Sequence, residues 1–536
     1  MGVLWYGGKI YTMVSDGELV ESIYTEKGFI VEVGKYAHLK EKYRKVIDYA
    51  HNLNGAIMYP GFVDSHLHII GHGEKLLRLD LSKMTSSEEM IESLKKRAKD
   101  LKEGEWLIGE GWNENNWEEP EIIHKTLLDE ICPNNPMMLT RVCRHAVLAN
   151  SVAMELANIN NETKDPQGGK IVRDKNGEAT GYFLDTAQEF IKQVQPEVSE
   201  TYLTKVVEKS VDDLLQQGLV GGHSEDLNYY GGFYKTFRAF INGINGVCRK
   251  FRANLLVHHE VVDAMRNIGL GFGDGSDFIH LGAVKIFSDG ALGGRTAWLS
   301  EPYEDDKDNY GIPIHTNEGL ETLIMRAREL EMPVAVHAIG DKAALEIAKL
   351  LKKYPVKKGL RDRLIHAQIV NKELLTILQE IDVVLDIQPT FVASDYPWVI
   401  DRIGARRSKY AYPWKTFLNH DIPCAAGSDA PIEDVNPLIG IEAAVRRRSF
   451  IDGNVYNEEQ QLTVYEAISL YTKGSAYVIS QEESRGQIKE GYVADFTVLD
   501  KDLFEIAHDE IAKAKVVMTV VDETIVYQNT QHAKTR

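Results

Sequence analysis

The run Gly61-Phe62-Val63-Asp64-Ser65-His66-Leu67-His68 decides how the rest of the chain is read. An apolar strand, Ile57 to His66, leads into it, and His66 and His68 stand two residues apart at its end. Side chains on a strand alternate between faces, so this spacing puts both imidazoles on one side, where they can share an ion. A single pair of this kind is more often packing than chemistry. Its meaning depends on what other segments bring to the same place.

Beyond that run, apolar strand, loop and amphipathic helix repeat, the pattern of parallel βα units. The strand candidates after Ile57–His66 are Leu219–His223, Ala253–His259, Ile279–Phe287, Pro333–His337, Arg363–His366, Val383–Ile387 and Ile422–Gly427. With the first they make eight, the number that closes a (β/α)8 TIM barrel. Helices predicted at Leu320–Leu330, Ala343–Leu351 and Lys372–Glu380 fall between strands, their apolar residues recurring at three and four.

In such a barrel the carboxyl ends of the strands converge on one mouth, so residues far apart in sequence can form one cluster. VAVHAIGD carries His337 at its strand end, DRLIHAQ carries His366 and IPCAAGSDAP carries Asp429. Imidazoles and a carboxylate together suit zinc, iron or manganese. The reading is a divalent metal, zinc first, one or two per chain, held by His66, His68, His337, His366 and Asp429.

The two ends read differently. Val3–Met13, Leu19–Thr25, Phe29–Val33 and Ala56–Pro60, then Gly486–Leu499 and Val516–Tyr527, are β-rich and separated by turns. Neither end has enough strands to cover a core alone, so residues 1–60 and 480–536 are expected to form one small β-sandwich. The barrel then takes 61–75 and 201–479. Residues 76–200 are too many for one crossover and read as an inserted α/β subdomain covering the barrel mouth. A capping box of Thr85 and Glu88 is expected to start its first helix, over Met90, Ile91, Leu94, Ala98 and Leu101.

Composition narrows the class. The 80 acidic against 61 basic residues give a formal net charge of -19, which repels phosphates and argues against a nucleic-acid partner. Cys132, Cys143, Cys248 and Cys424 form no CxxC pair, so neither a disulfide framework nor a thiolate zinc site is indicated, and a cytoplasmic location is expected. No stretch reaches the roughly 18 apolar residues of a membrane span. An assembly of identical chains, a homo-oligomer, is compatible with all of this.

GFVDSHLH, VKIFSDGALGGRTA, VHAIGDKA, LIHAQ and GSDAP together resemble the amidohydrolase superfamily, in particular the subgroup (amidohydrolase family 3) that includes N-substituted formamide deformylases. The resemblance runs over nearly the whole chain. It implies that the fourth strand supplies a lysine, Lys285 in VKIFSDG, that carries a carbamate and bridges two metals. An ordinary lysine, with a pKa of about 10.4, is a poor ligand for a cation, whereas its carbamate is an anion with two oxygens. The alternative is a one-metal site with an unmodified lysine.

The resemblance further implies a metal-dependent hydrolase that attacks a non-peptide C–N bond, in a small-molecule amide or N-substituted formamide, with metal-bound hydroxide. Asp429 then takes the proton of water and returns it to the leaving nitrogen. A cyclic amidase, a ring aminohydrolase and an esterase use the same site chemistry. Outside enzymes, the alternative is an inactive barrel acting as a binding protein, which loss of a ligand position would favour. All six positions are filled.

Other residues are weaker candidates. Trp112, with Asn113 and Trp117 in GEGWNENNW, and His145 in RVCRHAVLANS resemble family segments that lie near the substrate, and Arg295 in GGRTA is a further candidate because Gly290, Gly293 and Gly294 let the backbone approach a ligand. His223 and His259 read as packing or supporting residues, and Glu110, Glu114, Glu118 and Glu119 as a solvated acidic face.

Overall fold

The structure, a computed structural model, describes residues 2–114, 117–118, 121–141, 146–195 and 198–529. It divides the chain into two compact units, residues 1–72 with 200–536 and residues 73–199.

The larger unit contains a parallel sheet of β1 (Phe62–Leu67), β2 (Leu219–Ser224), β3 (Arg252–His258), β4 (Ile279–Phe287), β5 (Val334–Ala338), β6 (Asp362–His366), β7 (Val383–Ile387) and β8 (Cys424–Ala426). Neighbours in sequence are neighbours in space from β1 to β8. The strands are buried on both faces, which is why they read as apolar runs rather than alternations.

The last strand is brought back against the first by backbone bonds just past β8. The Asp429 N–H donates to the His66 carbonyl at 2.7 Å, and the His68 N–H donates to that of Ala430 at 2.8 Å. Asp64 fastens the same seam, accepting from the His66 N–H at 3.0 Å and from the Ser428 hydroxyl at 2.6 Å. Gly427 permits this approach: a Cβ there would lie 2.4 Å from the His66 nitrogen. The barrel is thereby nearly closed.

The connecting helices follow from caps as well as periodicity. Thr316 caps Asn317–Glu329, and Asn371 caps Lys372–Leu378, each side chain accepting an N–H of the first turn. The first helix therefore begins three residues before Leu320, and Asp341–Lys353 begins two before Ala343, because the apolar stripe starts later than the helix.

The chain ends meet in one hydrogen-bonded sheet. Its order is Thr524–Gln528, Val516–Val521, Phe496–Leu499, Ile57–Pro60, Gly2–Tyr11, Leu19–Glu26 and Phe29–Gly34, with Tyr49–Asn52 also beside Gly2–Tyr11. Phe496–Leu499 runs antiparallel to Ile57–Pro60, so both ends build the same core, in which Trp5 packs edge-on to Phe496. The expected strand Gly486–Leu499 is regular only from Phe496. Ile488 and Gly491 instead donate to the carbonyls of Thr12 and Ile30, which bends the chain.

Residues 73–199 contain a six-stranded sheet, ordered Gly169–Arg173, Ala179–Asp185, Ala146–Ala149, Met137–Arg141, Leu107–Trp112 and Leu79–Asp80. Its first long helix, Ser87–Ala98, is capped one residue later than expected. Ser86, not Thr85, accepts the Glu89 N–H, and the Glu89 carboxylate reaches back to the Thr85 N–H at 2.8 Å. Among the described residues, no helix is long and apolar enough to cross a membrane.

Candidate metal centre

Five of the singled-out residues are gathered at the carboxyl ends of β1, β5, β6 and β8. His66, His68 and Asp429 are tightest, each offering a ligand atom within 4.8 Å of the others. The Nε2 atoms of His66 and His68 each lie 3.5 Å from Asp429 Oδ1. Two bonds of about 2.1 Å meeting at a tetrahedral angle hold their donor atoms about 3.4 Å apart, so this triangle has the size that a zinc-like ion requires.

The other imidazoles continue the cluster. The His366 ring centroid is 5.6 Å from that of His66 and 4.5 Å from that of His337. Backbone conformation aims two of these groups: His366 has φ +77° and Asp429 φ +57°. Such conformations are costly outside glycine and collect at functional sites.

Partners fix which nitrogen is left free in His68, His366 and His337, whereas His66 Nδ1 is buried with no hydrogen-bond partner. His68 Nδ1 lies 2.6 Å from the Glu225 carbonyl, which can only accept, so Nδ1 carries the hydrogen and Nε2 keeps its lone pair. His366 Nδ1 donates to Gln388 Oε1 at 2.7 Å, freeing Nε2 again. His337 is reversed: its Nε2 faces the Gly290 carbonyl at 3.2 Å, leaving Nδ1 as donor to a cation. Such supporting bonds orient metal-ligating histidines.

The electrostatics fit a cation. Burial, with Lys285 adding to it, holds His66 and His337 well below the usual histidine range, so both are neutral imidazoles with a lone pair. Burial lowers His366 to about 4 against the pull of Asp429. Burial opposes the charge of Asp429 too, but the hydrogen bond from His68 and the nearby His366 outweigh it and keep the carboxyl below the ordinary range. His68 itself is pushed up to about 9: burial disfavours its charge, but Asp429 and Asp226 draw a proton to it. The space between His68 and Asp429 thus attracts positive charge, which a metal ion would supply in place of that proton.

Lys285 lies on β4, paired in register with His258 of β3 and Ala335 of β5. It is only 1% exposed, and burial pushes its amine down while Glu225 and Asp429 hold it up. Its Nζ stands 4.5 Å from the Phe287 ring centroid. Burial and position suit a group that gives up its charge when a cation binds beside it.

Several of the weaker candidates have partners of their own. Trp112 is fully buried in the core of the 73–199 unit, its indole N–H donating to the Leu139 carbonyl at 3.0 Å, and Trp117 is buried there too. These are packing residues. Arg295 is committed to Asp305 through two hydrogen bonds of 3.1 and 2.8 Å, so its guanidinium is engaged on the protein itself. His145 and Glu119 lie outside the described residues. Glu110 pairs with Arg78 and Glu114 with Arg141, so that face is bridged rather than merely solvated. Cys132, Cys248 and Cys424 are unpaired.

His258, not His259, ends the third strand. Its ring lies 6.0 Å from that of Tyr229, which is in turn 6.4 Å from that of His68. His258, Tyr229, Gln388 and Asp289 escaped the sequence reading. Asp289 accepts the N–H groups of Trp298, Ile339 and Gly340, tying the loop after β4 to the loop after β5. The SDG following Lys285 and the IQP following β7 were the available signals.

A nearly closed parallel barrel that collects imidazoles and a carboxylate at its carboxyl edge has the architecture of a metal-dependent hydrolase. Comparison with known proteins agrees. The profile described as Amidohydrolase family matches residues 50–527. YtcJ of Bacillus subtilis (strain 168), which carries an amidohydrolase name, is 49% identical over 530 residues, 98% of this chain and 100% of that one. The N-substituted formamide deformylase of Arthrobacter pascens is 24% identical over 497 residues, 89% of this chain and 90% of that one. A solved structure described as an uncharacterized metal-dependent hydrolase from Pyrococcus furiosus gives a TM-score of 0.79 at 28% identity, covering 94% of this chain and 100% of that one. The chain belongs to the amidohydrolase family.

Proposed function

We propose that the protein hydrolyses a non-peptide C–N bond, in a small amide or N-substituted formamide, at the carboxyl edge of its barrel. The observation that carries this reading is the triangle of His66, His68 and Asp429, with both imidazole nitrogens 3.5 Å from one carboxylate oxygen. The name of the 24% identical Arthrobacter pascens relative supports the formamide class.

In this reading His66, His68 and Asp429 would hold one divalent ion, zinc first, and His337 and His366 would hold a second, with Lys285, as its carbamate, a further ligand. Such an ion supplies Lewis acidity, making water a nucleophile near neutral pH and polarising a carbonyl. The protein's own groups do the rest. Glu225, Gln388 and Gly290 orient His68, His366 and His337, so that His366 and His337 present a lone pair and His68 Nε2 does so once its proton is displaced. Asp429 stays ionised beside the site, takes the proton of the attacking water and delivers it to the leaving nitrogen. Tyr229 and Phe287, whose rings lie near His68 and His337, limit water around the reacting carbonyl.

The test is a turnover screen of N-formyl amines, N-acyl amines, cyclic amides and esters with metal-depleted and metal-reconstituted protein. Metal-dependent release of amine from a formyl or acyl substrate is expected. Turnover confined to esters or rings would refute the substrate class, and equal turnover without metal would refute the chemistry.

A further inference from the structure

Of the four histidines at the carboxyl edge, His68, His366 and His337 are aimed by a hydrogen bond to the ring. His66 is not. Its Nε2 faces Asp429 Oδ1 at 3.5 Å, and its Nδ1 is buried without a hydrogen-bond partner. A metal donor has to be held within about 0.5 Å of its place, so the direction of this ring must be set from its backbone.

The backbone there departs from regular strand. Gly222 of β2 lies opposite Asp64 of β1, but Ser224 lies opposite Leu67, so β1 carries an extra residue at Ser65 and His66. A bulge of this kind re-aims a side chain. Side chains hold the peptide that links Ser65 to His66 at both ends: its N–H donates to Asp64 Oδ1 at 3.0 Å, and its carbonyl accepts from Arg363 Nη2.

Arg363 stands on β6, and β7 and β8 separate that strand from β1, so its guanidinium crosses the barrel interior to reach Ser65. There its Nε also donates to Asp386 Oδ2 of β7 at 2.7 Å. The Asp386 carbonyl accepts from Gln388 Nε2 at 3.1 Å, and Gln388 is the residue that holds His366.

As a stabilising device the pair is poor. Arg363 is 1% exposed and Asp386 fully buried, yet Arg363 Nη1 and Asp386 Oδ1 have no hydrogen-bond partner. Two charges taken out of water with their hydrogen bonds incomplete gain little over apolar side chains of the same volume. What the guanidinium does supply is geometry, because one rigid planar fork fixes the peptide of His66 against the strand that leads to Gln388.

We infer that Arg363 is the positioning residue for His66, its guanidinium holding the Ser65–His66 peptide from the barrel core in place of the ring partner that the other three histidines have. Asp386 keeps the guanidinium in that orientation. The inference rests on the metal centre proposed above and not on the substrate.

The test uses the full-length protein and two paired replacements. Arg363→Met/Asp386→Leu removes the fork and both charges together, so no lone charge is left in the core. Arg252→Met/Asp495→Leu removes a second buried Arg–Asp pair, at the start of β3, whose arginine bonds only to Asp495 and the Asp277 carbonyl. Chelator competition is expected to show zinc affinity reduced about 10- to 100-fold in the first variant and unchanged in the second. The visible absorption of the cobalt-loaded protein should change in the first alone, and the metal-free form of that variant should melt close to wild type. Wild-type affinity and cobalt spectrum in the first variant would overturn the inference, and so would an equal loss in the second, which would mark the effect as structural. A wild type that takes up no divalent ion would overturn the metal centre itself, and this inference with it. Should the first variant not fold, Arg363→Lys decides. It keeps a charge beside Asp386 but has no fork to reach Ser65 as well, so zinc affinity should fall, and wild-type binding would refute the role.

Discussion

Gln388→Leu is expected to weaken metal binding without unfolding the protein. Gln388 is 2% exposed, and its Oε1 is the acceptor for His366 Nδ1–H at 2.7 Å. Leucine has a similar volume and offers no acceptor. Leaving that N–H buried and unmatched costs about 1–3 kcal/mol, and the imidazole can avoid the cost only by changing tautomer or turning. Either response removes the lone pair from the site. Loss of such a supporting bond weakens metal affinity by about 10- to 100-fold, which agrees with that energy at 1.4 kcal/mol per decade. Competition against a chromophoric chelator at fixed pH measures the change, with circular dichroism reporting the fold. Gln388→Glu, which keeps an acceptor, should bind metal at least as well as wild type. A leucine variant with wild-type affinity and stoichiometry would refute the role given to His366.

Two further outcomes follow from buried groups. Reconstitution in bicarbonate should bring the wild type to two metals per chain, and Lys285→Ala should hold one whatever the bicarbonate. Metal analysis showing a single ion in both would favour the unmodified lysine. Asp395 accepts the Tyr412 hydroxyl, and burial raises its pKa to about 7, with Glu433 adding to the shift. The folded chain therefore keeps a proton that the unfolded chain loses above about pH 4, so stability falls as pH rises from about 4 to 7 and stays lower beyond. Asp395→Asn should be more stable than wild type by on the order of 2 kcal/mol at pH 8, with little advantage at pH 4.5, as read by thermal unfolding. An equal difference at both pH values would show that the carboxyl is not the cause.

The barrel was legible because each strand is short, apolar and followed by a periodic helix, and because His66, His337, His366 and Asp429 sit at strand ends. Period two alone aimed His66 and His68 together. What could not be read depends on contacts made in space. Asp64 lies inside the opening motif, yet its role comes from Ser428, which is 364 residues away. The carbonyls of Glu225 and Gly290 orient two ligands through backbone atoms that no side-chain pattern records. Trp112 was misread because an aromatic cluster has the same spacing in a core as in a pocket. Thr85 and Ser86 offer the same capping chemistry one residue apart, and packing of Met90 and Leu94 selects the register.

The central claim is tested most directly by measuring metal content and turnover together in wild type and Asp429→Asn, using the best substrate from the screen. Asparagine keeps an oxygen for the ion but cannot take the proton, so much of the metal should remain while kcat falls by about 10² to 10⁴. Wild-type kcat in a variant that still holds its metal would contradict the account, because the proton would then be handled by a group other than Asp429.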